Sequence, residues 1–352
     1  MVRRAALDLG TRHVRLAVPG RGVVVDEPSV VAVSSRRGSP VVLGRRASEM
    51  VGRAPGYVAL RRPMIGGELQ EEGAAALVVR AVLDQAGLLR RRRPRLVACV
   101  AAGATGVERR AMTEACQHAG AGEVSLLDRP VAAAVGLGLP LERPQGTMVV
   151  DVGAGATEAA VVVLGEVVVS RRGQVGAEAL SAAVAESVRS AAGVVVSPEV
   201  ADELTRLLLV EPTPGAATVV EVDGRDRETG AAAKAVVTRE EVAQAVAGPL
   251  AEIEQLVRTC LAATPPELSE DLIESGLHLV GGGALVGGVD RRLQRTTGLP
   301  VRLASSARTV AVEGAARCAA AESGFLARLP ATPPGPAGSR RRGGRRTSAT
   351  RP

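Results

Sequence analysis

The chain carries one strand pattern twice. Residues 5–25 read AALDLGTRHVRLAVPGRGVVV, and residues 148–169 read MVVDVGAGATEAAVVVLGEVVV. Each is an apolar strand ending in Asp-x-Gly, a short turn of small residues, a second apolar strand, a glycine-containing hairpin and a third strand. Asp8 and Asp151 hold equivalent places. A repeated three-strand unit predicts two related domains, and 352 residues is ample for two cores with a tail.

Composition narrows the class. Hydrophobic residues make up 46% of the chain, enough to exclude wholesale disorder. Tyr57 and Phe325 are the only aromatic residues, so the cores must be packed from Val, Leu and Ala. Lys234 is the single lysine among many arginines, a bias that resembles a GC-rich codon table. The formal charge of +7 is concentrated in Arg90–Arg93 and in a tail holding Arg340, Arg341, Arg342, Arg345, Arg346 and Arg351. Cys99, Cys116, Cys260 and Cys318 lie far apart with no CxxC pair, which favours buried thiols in a reducing compartment over a metal or disulfide site. No apolar run approaches a membrane span and no secretory leader is read at the N-terminus. The expected location is therefore cytoplasmic, with at most peripheral attachment to the inner face of the membrane.

Between and after the repeats, strands and helices alternate. Residues 69–86 read as a helix stopped by Gly87, and 95–101 as a buried strand. Thr105 and Glu108 form a capping box for a helix with Met112, Cys116 and Ala119 on its apolar face. A strand over Glu123 to Leu127 and a helix opened by Pro130 follow. In the second half, 176–192 and 198–209 read as helices. A polar hairpin surrounds Asp223-Gly224, and Thr238 with Glu241 caps a long helix running towards Cys260. The strand Gly276 to Val280 enters Gly281-Gly282-Gly283. From about Pro330 the Pro, Gly, Ser, Thr and Arg content predicts disorder.

A strand ending in Asp-x-Gly puts a carboxylate at the carboxyl edge of a sheet, beside backbone N–H groups that cradle phosphate oxygens. The carboxylate is then placed to face a Mg²⁺ ion or its waters. One such turn is equally well only a turn; two opposed copies favour a clamp on one polyphosphate. LVGGGAL at Leu279–Leu285 adds a triple-glycine turn, which lets a flat ring or a phosphate reach the backbone. It lacks the GK[ST] of a Walker A loop and the spacing of a dinucleotide fingerprint.

The order and spacing of LDLGT, VVDVGAGATE, RPVAAAVGLGLP and LVGGGAL resemble the actin, heat-shock chaperone and sugar-kinase superfamily. VVDEPSVVAV, VGRAPGYVALRRP, GVERRAM, TPPELSEDLIESGLHLVGGGAL and TGLPVRLA resemble the MreB-type bacterial actins in particular. That resemblance covers roughly residues 5–322. It implies an actin-like α/β fold of two RNase H-like domains around a nucleotide cleft, each with a smaller inserted subdomain. The expected boundaries are 1–145 for the first domain, with 31–94 as its subdomain, and 146–308 for the second, with 181–244 inserted. A C-terminal helix over 309–328 packs back on the first domain, and 329–352 form the tail.

The function implied is a nucleotide-dependent filament beneath the membrane that organises peptidoglycan synthesis and cell shape. Its partners are further copies of itself, an anionic membrane surface and the cell-wall machinery, with ATP or GTP and Mg²⁺ as cofactors. Carried over residue by residue, the nucleotide site takes Asp8, Gly10, Thr11, Arg12, His13 and Val14 from the first loop. Gly153, Ala154, Gly155, Ala156 and Thr157 come from the second. Glu203 and Arg206 flank the nucleoside, and Gly281, Gly282, Gly283, Ala284 and Leu285 form the adenosine loop. Asp8 and Asp151 hold Mg²⁺ largely through water, and Asp151 is also catalytic.

The chain departs from that pattern in one decisive place. The family carries a water-orienting Glu before the proline that opens the AAA helix, and here the residue is Arg129. Arginine stays protonated and cannot act as a base. Asp128 is the neighbouring candidate for the catalytic role, with a solvated carboxylate near a helix start as its plainer reading. Any hydrolysis is therefore expected to be slow and Mg-dependent. His118 and His278 read as structural, whereas His13 falls close to the phosphate turn.

Leu88 and Leu89, followed by Arg90, Arg91, Arg92 and Arg93, form the candidate membrane contact: apolar side chains to insert and cations for headgroups. The alternative is a leucine pair capping the core below a solvated basic run. A small-molecule kinase or another ATPase of the superfamily is the rival function. Nucleic acid is not an expected partner, because the arginine-rich tail has no aromatic residue to stack on bases.

Overall fold

The computed structural model describes residues 3–34, 40–90, 93–209 and 218–329. Both copies of the repeat form the strands that the sequence predicts. Arg4–Leu9, His13–Val18 and Gly22–Pro28 make one antiparallel meander, and Thr147–Val152, Thr157–Val163 and Glu166–Gly173 make the other. Each meander is extended by two parallel strands on the side of its first strand. Arg95–Val100 and Glu123–Asp128 complete the first five-stranded sheet; Leu277–Val280 and Val301–Leu303 complete the second. The two sheets therefore share one topology. Strands buried on both faces read as continuous apolar runs, as parallel packing between helical layers requires.

Helices Glu72–Gln85 and Gly106–His118 cover the outer face of the first sheet, in a core with Leu7, Val79, Leu83 and Leu96. Helices Ala177–Ala192 and Ala247–Ala262 help to cover the outer face of the second, around Leu180, Ile253 and Val257. Between the sheets lie Arg129–Leu137 and Val310–Ala320, in a core shared with Ala6 and Val97 of one sheet and Val149 and Val162 of the other. Two glycines bring these inner helices together. A Cβ on Gly314 would stand 1.8 Å from the Ala132 carbonyl oxygen, and one on Gly136 would stand 2.1 Å from that of Val310.

Smaller sheets project from each half. Val31–Ser34, Pro40–Leu43 and Val58–Arg61 form one, with Tyr57, 45% exposed, at the start of its last strand. Val194–Val195, Val219–Asp226 and Ala232–Thr238 form the other.

Several expectations need adjustment. The helix expected over 69–86 begins at Glu72, because Glu68–Leu69 pair with Met64–Ile65 as a small hairpin. The capping boxes at Thr105 and Thr238 form as predicted. The long helix towards Cys260 is instead two, Arg239–Ala245 and Ala247–Ala262, with Pro249 in the first turn of the second, where a missing N–H is harmless. Asp223 and Gly224 lie within a strand, and the turn comes later, where Asp226 accepts hydrogen bonds from the N–H groups of Glu228 and Thr229. The helix expected over 309–328 is broken by the segment ending at Gly324 into Val310–Ala320 and Phe325–Arg328. All four cysteines are free and buried. The predicted tail from Pro330 lies outside the described residues.

The glycine contact predicts a sharp stability effect. Gly314→Ala forces its Cβ onto the Ala132 carbonyl and is expected to cost about 3 kcal/mol or more. Gly248→Ala, a helical glycine whose added Cβ meets nothing within 4 Å, should leave the thermal midpoint unchanged or slightly raised. Equal midpoints for both variants would contradict this packing.

Candidate functional site

A cavity of about 390 Å³ opens where the carboxyl ends of the two sheets face each other. The two Asp-x-Gly turns close identically: Gly10 N–H donates to the His13 carbonyl and Gly153 N–H to the Ala156 carbonyl, each at 2.9 Å. Both glycines are required by crowding, since an added Cβ would lie 3.1 and 2.8 Å from those same oxygens. The turns also meet one another. Thr11 Oγ1 accepts from the Gly67 N–H at 3.0 Å, and a Cβ on Gly155 would stand 2.7 Å from Thr11 Oγ1. Gly281, at φ +91°, leaves room for Asp151: its Cβ would fall 2.2 Å from Asp151 Oδ1.

Charge is arranged around these turns. The Arg129 guanidinium lies between the two aspartates, with Nη2 3.0 Å from Asp8 Oδ1 and Nε 3.9 Å from Asp151 Oδ2. Burial opposes the Arg129 charge, and Asp8 and Asp151 more than offset it, raising its pKa. Burial also raises the pKa of Asp151, against the pull of Arg129. On the other wall, Asp202 accepts from Arg12 at 2.9 Å and from Ser181 at 3.0 Å.

Most of the expected residues line this one cavity: Asp8, Gly10, Thr11, Arg12, His13, Asp151, Gly153, Ala154, Gly155, Ala156, Arg206, Gly281, Gly282, Gly283 and Leu285. Five do not. Val14 is buried in the first core. Thr157 is buried and donates its hydroxyl to the Val175 carbonyl at 2.7 Å. Ala284 turns into the second core. Glu203 is exposed on helix Pro198–Leu209, whose cleft-facing residues are Asp202 and Arg206, one helical turn apart. Asp128 pairs with Arg109 and is absent from the cavity wall, so it is not placed to activate a water there.

The membrane segment is corrected in the same way. Gly87, at φ +71°, ends helix Glu72–Gln85, and Leu88 N–H donates to the Leu83 carbonyl at 2.9 Å. That helix stop places the following apolar residue against the helix, and Leu88 is 5% exposed within the core. Leu89 packs against Gly120. Arg90 and Arg93 are exposed, while Arg91 and Arg92 lie outside the described residues.

Sequence reasoning missed Arg15, Glu158, Arg172 and Asp202 on the cavity wall. The repeat itself held the signal for two of them. Arg15 pairs across the strand with Asp8, and Glu158 pairs with Asp151. Cross-strand partners share a face, so each must accompany its aspartate. Glu158 is 5% exposed and accepts from the Ala102 N–H at 2.6 Å, while Oε2 has no hydrogen-bond partner. Burial pushes its pKa up to about 7, against the opposing effect of Arg129.

With this geometry in place, three comparisons agree. The model of the MreB/Mbl protein family matches residues 2–325. The chain belongs to the MreB/Mbl family. It is 37% identical over 315 residues to the cell shape-determining protein MreB of Escherichia coli (strain K12), covering 88% of this chain and 91% of that protein. It is 32% identical over 308 residues to the cell shape-determining protein Mbl of Bacillus subtilis (strain 168), covering 86% and 92%. The crystal structure of MreB5 of Spiroplasma citri bound to ADP superposes with a TM-score of 0.83 at 28% identity, covering 89% and 95%. The AMPPNP-bound structure gives 0.81. The fold is thus the actin-like one of the family, with paired five-stranded sheets.

Glu158 predicts a pH dependence. Its folded pKa stands above the ordinary 4.5, so the protonated form favours folding. That contribution is complete below pH 4.5 and disappears as pH rises through about 7. Glu158→Gln avoids the loss, so its unfolding free energy should gain on the wild type between pH 5 and pH 8 by an amount on the order of 2 kcal/mol, read as a rising relative thermal midpoint. Parallel midpoints across that range would contradict it.

Proposed function

We propose that this chain is the subunit of a nucleotide-dependent filament that helps to determine cell shape by organising peptidoglycan synthesis at the inner face of the membrane. The observation that carries the nucleotide part is the meeting of two Asp-x-Gly turns and a triple-glycine turn around one 390 Å³ cavity, a size suited to a small ligand. The turns take the phosphates between the sheets. Gly281–Gly283, with Asp202 and Arg206 opposite, take the nucleoside. ADP and AMPPNP, bound by the Spiroplasma citri relative, support an adenine nucleotide over GTP.

Hydrolysis is proposed to be slow. Arg129 replaces the water-orienting carboxylate, Asp128 is engaged by Arg109, and loss of a positioned base typically costs about 10²–10⁴-fold in rate. Filament formation requires nucleotide-biased contacts between copies rather than rapid turnover. Attachment to anionic lipid is proposed through Arg90 and Arg93 at the surface, by charge alone, since Leu88 is committed to the core.

Calorimetry with ATP, ADP and GTP tests the site. Adenine nucleotides should bind, and Gly155→Val, which drives a side chain into Thr11, should weaken binding by about 100-fold or more. Normal affinity in that variant would remove the assignment of the turns. Pelleting and electron microscopy should show assembly that depends on nucleotide. On anionic vesicles, Arg90→Glu/Arg93→Glu should reduce salt-sensitive attachment. Efficient phosphorylation of a sugar or acid, without assembly, would instead favour the small-molecule kinase.

A further inference from the structure

The family resemblance implies Mg²⁺ held through water by Asp8 and Asp151, and the donor set argues against it. Mg²⁺ keeps most of its waters, and those waters must donate to free carboxylate lone pairs. Here Asp8 Oδ1 already accepts from both Nε and Nη2 of Arg129, at 3.2 and 3.0 Å. The same guanidinium lies 3.9 Å from Asp151 Oδ2. The three side chains are only 12–17% exposed, so a permanent cation fills the place between the carboxylates.

Arginine supplies what the ion would supply at this point. It is always charged, and its planar fork suits phosphate oxygens. Nε and Nη2 are both used on Asp8. Elsewhere on the wall, Arg12, Arg15, Arg172, Arg206 and Arg308 stand with Arg129 against Asp8, Asp151, Glu158 and Asp202. Cationic side chains therefore outnumber carboxylates before any metal is added.

We propose that Arg129 is a built-in cation that takes the place of the divalent ion at the two phosphate turns, so that this cleft binds nucleoside polyphosphates without magnesium. The inference rests on the nucleotide reading of the cleft and extends it. Helix Arg129–Leu137 carries Pro130 at its start and is held between the sheets, so the cation is placed by the fold rather than recruited with the ligand. Losing a required ion would weaken binding by orders of magnitude, whereas a resident guanidinium leaves affinity nearly unchanged when the ion is removed.

The test is calorimetry of the 352-residue chain with ATP, once with excess Mg²⁺ and once with EDTA. The expected result is a Kd that agrees within about three-fold between the two conditions. A drop of about ten-fold or more in EDTA overturns the proposal while leaving the nucleotide reading intact. No binding in either condition removes both. Arg129→Glu and Arg129→Lys then locate the cation, with circular dichroism confirming that each variant is folded. Arg129→Glu places three carboxylates together and should bind ATP only when Mg²⁺ is present. Arg129→Lys should retain binding in EDTA. Magnesium-independent binding that persists in Arg129→Glu would assign the effect to other residues and overturn the role given to Arg129.

Discussion

The ion triad of Asp8, Arg129 and Asp151 is the constraint on which the cleft depends. Two carboxylates at the ends of opposed sheets cannot be buried together without a cation, because desolvation and mutual repulsion both oppose their charge. The fold meets that demand with a side chain from the first turn of the helix held between the sheets. Removing the guanidinium alone would leave two uncompensated acids. The identity of residue 129 therefore affects the relative position of the sheets as well as the chemistry available between them.

The two halves are joined in two physically different ways. Deep between the sheets the contact is apolar, in the core where Ala6 and Val97 of one sheet share helices Arg129–Leu137 and Val310–Ala320 with Val149 and Val162 of the other. Around the cleft it is polar. Glu158 of one half accepts from the Ala102 N–H of the other, Arg172 pairs with Glu108 at 3.5 Å, and Arg62 reaches Glu178 at 3.2 Å. Apolar contacts are insensitive to salt and pH, whereas these rim contacts respond to both. The rim is the part of the interface that solution conditions and anionic ligands can adjust.

Much of this was legible in the sequence, for identifiable reasons. The doubled Asp-x-Gly pattern fixes two sheets of one topology, because strand alternation and turn glycines are local properties. The capping boxes at Thr105 and Thr238 are local as well. What failed was side-chain direction. Glu203 and Asp202 are adjacent in sequence but point to different sides of their helix, and only packing decides which one meets the cavity. Asp128 turns to Arg109, a partner brought from helix Gly106–His118. Leu88 reads as a membrane residue beside arginines until the helix stop at Gly87 directs it inward. Glu158 was overlooked although the repeat pairs it with Asp151 as it pairs Arg15 with Asp8.

The scarcity of aromatic residues has an optical consequence. With no tryptophan and one tyrosine, intrinsic fluorescence arises almost wholly from Tyr57. That residue adjoins strand Val58–Arg61 in the small sheet of the first half, away from the cavity wall. Its emission is thus a single-site reporter beside that three-stranded sheet. A change in that emission on adding a ligand to the cleft reports an altered environment at that sheet, by movement or by assembly, with almost no background from the rest of the chain.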